Sequence, residues 1–69
     1  MSLKETEMSF RDFFSIEKDE NLQSVNRSDD RLSSLNLTLW IVAMEKAGVK
    51  VSVYDVVSAQ NAEDLFNLL

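Results

Sequence analysis

At 69 residues, 45% of them hydrophobic and 28% charged, the chain is long enough for one small globular domain and too short to give two domains a core each. It contains neither cysteine nor histidine, so it has no thiol nucleophile, imidazole base, disulfide or ordinary zinc site, must be held by packing alone, and is not expected to be an enzyme. A formal net charge of −5, without any cluster of Lys or Arg, argues against nucleic acid and anionic membrane and in favour of a basic protein partner.

The opening "MSLKETEMSF" has no apolar run of signal-peptide length, and the longest run in the chain, Leu39 to Met44, is far short of a membrane span. A cytosolic protein is expected. Between Leu3 and Ile16 the residues Leu3, Met8, Phe10, Phe13, Phe14 and Ile16 approximate a three-to-four-residue apolar period and predict a first helix. The stretch "EKDENLQSVNRSDDR" that follows offers only Leu22 and Val25 for burial, so it reads as a long loop pinned to the core by those two residues. A loop of that length in a compact domain is uncommon unless it is functional or contains a short turn of helix. Its Asp29 and Asp30 are either solvated surface or a recruiting point for a basic partner.

From Ser33 to Ala47 nothing interrupts a helix, and Gly48 is its stop signal. Leu37, Trp40, Ile41 and Met44 follow the i, i+3, i+4, i+7 pattern of a core-facing stripe, while Leu35, Leu39 and Val42 form a second stripe that needs a separate reason. Trp40 and Tyr54 read as core residues with their polar edges near the surface. "GVKVSV" alternates for a few residues but has no second strand to pair with, so it reads as an extended connector. Ser52, with Asp55 three residues on, resembles a capping box opening a short third helix through Tyr54, Val56 and Val57. Asn61 repeats the device ahead of "AEDLFNLL", where Glu63 and Asp64 suit the positive end of a fourth helix and Leu65, Phe66, Leu68 and Leu69 supply its apolar face.

Ser33 and Ser34 stand where the polar loop gives way to the central helix, and one of them is the expected N-cap. Around them the order is a serine at a helix start, Leu35 after it, Met44 and Glu45 ten and eleven positions beyond Ser34, then "GVKV", "SVYDVV" and "NAEDLFNLL". In that order nearly the whole chain resembles an acyl carrier protein. The resemblance implies an all-α four-helix bundle of the acyl-carrier type over residues 1–69, with a long first loop and a short third helix. It implies a non-catalytic, monomeric cytoplasmic carrier of fatty acid, polyketide or nonribosomal peptide assembly, holding acyl or aminoacyl groups as thioesters on a 4′-phosphopantetheine arm derived from coenzyme A. The family's Asp-Ser-Leu triplet falls on Ser33, Ser34 and Leu35, so the arm belongs on Ser34. Ser33 is the minor alternative, since that register displaces Met44 and Glu45. The implied partners are a phosphopantetheinyl transferase and acyl-loading and synthase enzymes.

Three departures shape that reading. Ser33 stands where the family has an aspartate that helps the transferase engage the serine and its magnesium. The connector is one residue short before Gly48. On the central helix, Asn36, Thr38 and Leu39 occupy the face that fatty acid carriers line with carboxylates, and only Glu45 remains acidic there. The implied docking set is therefore Leu35, Asn36, Leu39, Val42 and Glu45, whose apolar members either meet partners beside the arm or cover the first helix and the loop. Ile41, Val42, Val56, Val57, Phe66 and Leu69 are expected in the core or around a sheltered acyl chain. The missing aspartate and the apolar face favour a second reading, a carrier-like helical interaction module that has lost its modification. A serine hydrolase is not expected, because there is neither a histidine nor a Gly-x-Ser-x-Gly context.

Overall fold

Apolar spacing and two backbone stops decide where the helices lie in the computed structural model, which describes residues 3–69, with side chains from Glu5 onward. Helix α1 is Leu3–Phe13, α2 Ser34–Lys46, α3 Val53–Ser58 and α4 Ala62–Phe66, and single 3-10 turns lie at Leu22–Ser24 and Asp30–Leu32. No strand occurs among the described residues, so the architecture is all-α; of "GVKVSV", Gly48 ends α2 in a left-handed turn, Val53 already opens α3, and only the residues between them form the connector. None of the described helices is long and apolar enough to cross a membrane.

Helix α1 ends earlier than its apolar spacing predicts because Ser15 adopts a φ of 57°. The Ser15 N–H donates to the Asp12 carbonyl at 3.3 Å and the Ile16 N–H to the Arg11 carbonyl at 2.8 Å. This Schellman arrangement satisfies two end carbonyls and turns Ile16 into the core. Gly48, at φ 83°, closes α2 in the same way, with its N–H on the Glu45 carbonyl at 3.0 Å and that of Val49 on the Met44 carbonyl at 2.8 Å. At the start of α4, Asn61 accepts the Asp64 N–H and the Asp64 carboxylate accepts the Gln60 N–H, both at 2.9 Å. Ser52 occupies the cap position of α3 but makes no side-chain cap hydrogen bond, so the box expected with Asp55 is not formed.

Trp40 is fully buried, with Phe10 edge-on at 5.7 Å and Phe14 at 5.8 Å, while Phe10 also meets Phe66 at 5.5 Å. One aromatic cluster thereby joins α1, α2 and the end of α4. The core extends through Leu37, Val56, Ala62 and Leu65 to the loop residues Leu22, Val25 and Leu32, with Ile41 and Met44 packed against it. The inner stripe of α2 and the two pinning residues of the loop therefore lie where their spacing places them. The loop is also stitched to α4, since Ala62 N–H donates to the Val25 carbonyl at 2.8 Å and Arg27 N–H to the Gln60 carbonyl at 3.1 Å, around a lone antiparallel bridge of Asn26 with Asn61. The Arg27 guanidinium donates to the carbonyls of Val57 and Ala59 at 2.8 and 3.2 Å, closing the end of α3.

Several expected core positions lie elsewhere. The Trp40 Nε1 is buried instead of reaching the surface, and among the described residues it has no acceptor. An unmet donor costs about 1–3 kcal/mol, and filling the centre of the core with an indole outweighs that. Tyr54 is 79% exposed and Val57 63%, because the six-residue α3 turns one residue, Val56, inward and its chain neighbours consequently face out. Met8, Phe13, Val42 and Leu69 are also on the surface. The Leu3 side chain lies outside the described residues' side chains.

Trp40→Ala should cost about 3–5 kcal/mol in urea unfolding followed by circular dichroism, because it empties the junction of three helices. The two helix stops give a paired prediction. Ser15→Gly should raise stability by about 0.5–1 kcal/mol, since glycine relieves the left-handed strain at the expense of unfolded-state entropy, and Gly48→Ala should lower it by about 1 kcal/mol. Among the described residues a Cβ on Gly48 would meet nothing within 4 Å, so that loss is one of backbone conformation.

Candidate functional site at the start of the second helix

The two serines have separate tasks. Ser33 is extended, at φ −61° and ψ 158°, and its Oγ accepts the Asn36 N–H at 3.3 Å, so Ser33 is the N-cap of α2. Ser34 is the first helical residue and is exposed, and among the described residues no hydrogen bond engages its hydroxyl. Its carbonyl accepts the Thr38 hydroxyl at 2.9 Å, which turns Thr38 back onto the helix.

The chain reaches these serines through the Asp30–Leu32 turn, whose N-cap is Asp29, accepting the Arg31 N–H at 2.9 Å. The Arg31 guanidinium then grips two carboxylates. Its Nε and Nη2 donate to Asp29 at 3.0 and 2.9 Å, and its Nη1 and Nη2 to Glu20 at 2.8 and 3.0 Å. Nη1 also reaches the Ser15 carbonyl at 3.1 Å, tying this turn to the end of α1. These hydrogen bonds from Arg31 hold the Glu20 and Asp29 carboxyls down at about 2, and the two carboxylates in turn push the guanidinium above its usual value. Asp29 is therefore engaged within the chain, while Asp30 is exposed. The Asp29–Arg31 spacing hints at this cluster in the sequence, but nothing there marks Glu20 as its third member.

The second stripe of α2 faces solvent, with Leu35 69%, Leu39 51% and Val42 43% exposed, so it covers neither α1 nor the loop. Glu45 is exposed at the far end of the same helix. Asn36 is different in being half-buried, and its Nδ2 donates to the Arg31 carbonyl at 3.2 Å. Of the six residues expected around a sheltered chain, Val56 is buried and Ile41 and Phe66 are packed against the core, whereas Val42, Val57 and Leu69 are exposed. A shallow depression lined by Met8, Arg11, Ser15 and Lys18 lies at the end of α1 and does not include Ser34. Among the described residues no group of acidic side chains is arranged to hold a metal ion.

No protein-family model, curated protein or solved structure matches this chain. What the start of α2 can do chemically follows from its geometry: it offers a capped, positively polarised helix end, one unengaged hydroxyl on it and an apolar face running away from that hydroxyl.

Ser33→Ala should cost about 1 kcal/mol of stability through the lost cap, whereas Ser34→Ala, which removes no hydrogen bond, should stay within about 0.5 kcal/mol, and thermal melts of the two variants test that order. The Arg31 cluster gives a pH dependence. Glu20 and Asp29 are held below their ordinary values of 4.5 and 3.8, so the stability they contribute is complete above those values and is lost as the pH falls through them toward about 2. Urea midpoints measured at neutral and at acid pH should therefore fall further for the wild type than for Arg31→Met, which starts lower and has less to lose.

Proposed function

We propose that this chain is an acyl carrier protein whose Ser34 accepts a 4′-phosphopantetheine arm. The observation that carries the reading is the division of labour between the serines, in which Ser33 caps α2 and leaves Ser34 exposed with an unengaged hydroxyl. The element order supports an acyl-carrier type of bundle, with a long pinned loop between α1 and α2 and a six-residue α3 before α4.

The residues present fit the arm. A phosphodiester is negatively charged, and the first-turn N–H groups and dipole of the thirteen-residue α2 favour negative charge at this end. When bound, the arm supplies on a flexible tether the thiol that the chain lacks, and so carries acyl or aminoacyl groups as thioesters. The chain's own part is presentation. Ser34 Oγ forms the new bond to the phosphorus that bears the pantetheine of coenzyme A, the pyrophosphate P–O bond breaks so that the nucleotide portion leaves with the other phosphate, and the hydroxyl proton passes to a base supplied by the transferase. Exposed Leu35, Leu39 and Val42, with Glu45 beyond them, then form the face that meets the transferase and the loading and synthase enzymes. Such a carrier serves fatty acid, polyketide or nonribosomal peptide assembly as a cytoplasmic monomer.

A second reading is a carrier-like interaction module that is never modified. The serine at position 33 in place of an aspartate favours it, as do the additional exposed apolar residues Val53, Tyr54 and Val57 on α3.

Incubating the purified chain with coenzyme A, magnesium and a broad-specificity phosphopantetheinyl transferase should add the mass of one phosphopantetheine, located on Ser34 by peptide mapping. Ser33→Ala should still be modified and Ser34→Ala should not. Uptake by Ser34→Ala removes the site assignment, and no uptake by a folded wild type with several transferases moves the conclusion to the interaction module.

A further inference from the structure

Asn36 lies on α2 between exposed Leu35 and buried Leu37, at the edge of the exposed face, and it is half-buried with its carboxamide engaged within the chain. Two hydrogen bonds converge on it. Its backbone N–H donates to Ser33 Oγ at 3.3 Å, and its Nδ2 donates to the Arg31 carbonyl at 3.2 Å. A carbonyl only accepts, so the side-chain orientation is fixed by chemistry, with the NH2 toward Arg31. The residue that offers this carbonyl is itself held, because its guanidinium spans Glu20, Asp29 and the Ser15 carbonyl. The segment from Arg31 to Asn36 is therefore anchored at both ends, and Ser34 lies between the anchors with its own hydroxyl unengaged.

We infer that Asn36 is a positioning residue for the modification of Ser34, closing the loop that leads into α2 against the helix's first turn so that the backbone carrying the serine is held in one orientation. The inference rests on the reading of Ser34 as the modified serine. A nucleophile delivered to a partner's active site reacts only when its oxygen lies in line with the bond to be broken, and small misplacements lower the rate without weakening association. The exposed stripe and the positioning bond thus divide the work. Leu35, Leu39 and Val42 meet the partner, while Asn36 acts from behind the serine through Arg31.

The division is read out by steady-state transfer of phosphopantetheine from coenzyme A, with the folded full chain as the varied substrate. Asn36→Ala and the isosteric Asn36→Asp, whose ionised carboxylate cannot donate to the Arg31 carbonyl, should lower kcat by about fivefold to tenfold, the kinetic equivalent of one hydrogen bond, with KM for the chain within about twofold of wild type. Leu39→Ala should do the reverse, raising KM with kcat retained. Asn36→Gln keeps the donor on a longer arm and should recover part of the lost kcat. If the Asn36 variants raise KM with kcat intact, the residue is a docking contact and the inference is overturned. Wild-type kinetics in both Asn36→Ala and Asn36→Asp also overturn it while leaving the carrier reading standing. Loss of the helical circular dichroism signal in both overturns it too, since the amide would then be holding the fold. A folded wild type that takes up no arm from any transferase overturns the carrier reading and this inference together.

Discussion

The fully buried indole of Trp40 anchors the aromatic cluster that joins α1, α2 and the end of α4, and with no cysteine to form a disulfide the rest of the domain depends on that packing. Phe10 and Phe14 bring α1 to it, and Phe66 closes on Phe10 from the end of α4. Burying one such side chain outweighs the unmet indole N–H, whose cost is about 1–3 kcal/mol. In a domain of this size net stability is a few kcal/mol, so this junction is comparable with the whole margin. The loop residues Leu22, Val25 and Leu32 complete the core, and so a segment with few apolar residues still has a fixed place.

Arg31 does for the polar side of the molecule what Trp40 does for the apolar side. The long loop carries more charge than it can bury, and its path is fixed by guanidinium groups. Arg31 is shared between Asp29, Glu20 and the Ser15 carbonyl, Arg11 donates to the Glu17 and Glu20 carbonyls, and Arg27 holds the end of α3. Neither Arg31 nor its two carboxylates are deeply buried, so the pairs avoid the heavy desolvation cost of an interior ion pair while keeping bidentate geometry. The loop is therefore ordered by a fork of hydrogen bonds at one end and by backbone stitching to α4 at the other.

What could be read in advance follows from how local each interaction is. The inner stripe of α2, the Gly48 stop, the Asn61 cap and the pinning role of Leu22 and Val25 were legible because each depends on spacing or on one residue's conformational preference. The end of α1 was not, since a left-handed serine at position 15 has no sequence mark where glycine would have one. Tyr54 and Val57 were misplaced because aromatic and β-branched residues lean toward cores, whereas a six-residue helix has room for few inward positions. At the candidate site the sequence narrowed the cap to two serines, and the geometry separates them: only Ser33 has both the extended backbone and the bond to Asn36. The Glu20–Arg31 pair spans eleven residues and depends on where α1 stops, so it was hidden behind the same missing mark.

Helix α2 joins these two anchors, and its two stripes separate folding from recognition. Leu37 and Trp40 are held by the core, so substitutions there are felt by the whole domain. Leu35 and Leu39 stand in solvent on the same helix, and changes at such positions are usually worth within about 0.5 kcal/mol of stability. That face is free to change with whatever it meets without unfolding the domain beneath it. Asn36 sits at the boundary, half-buried and bonded to a carbonyl whose own residue is fixed by the ion cluster, so it is the point where the order of the loop reaches the serine.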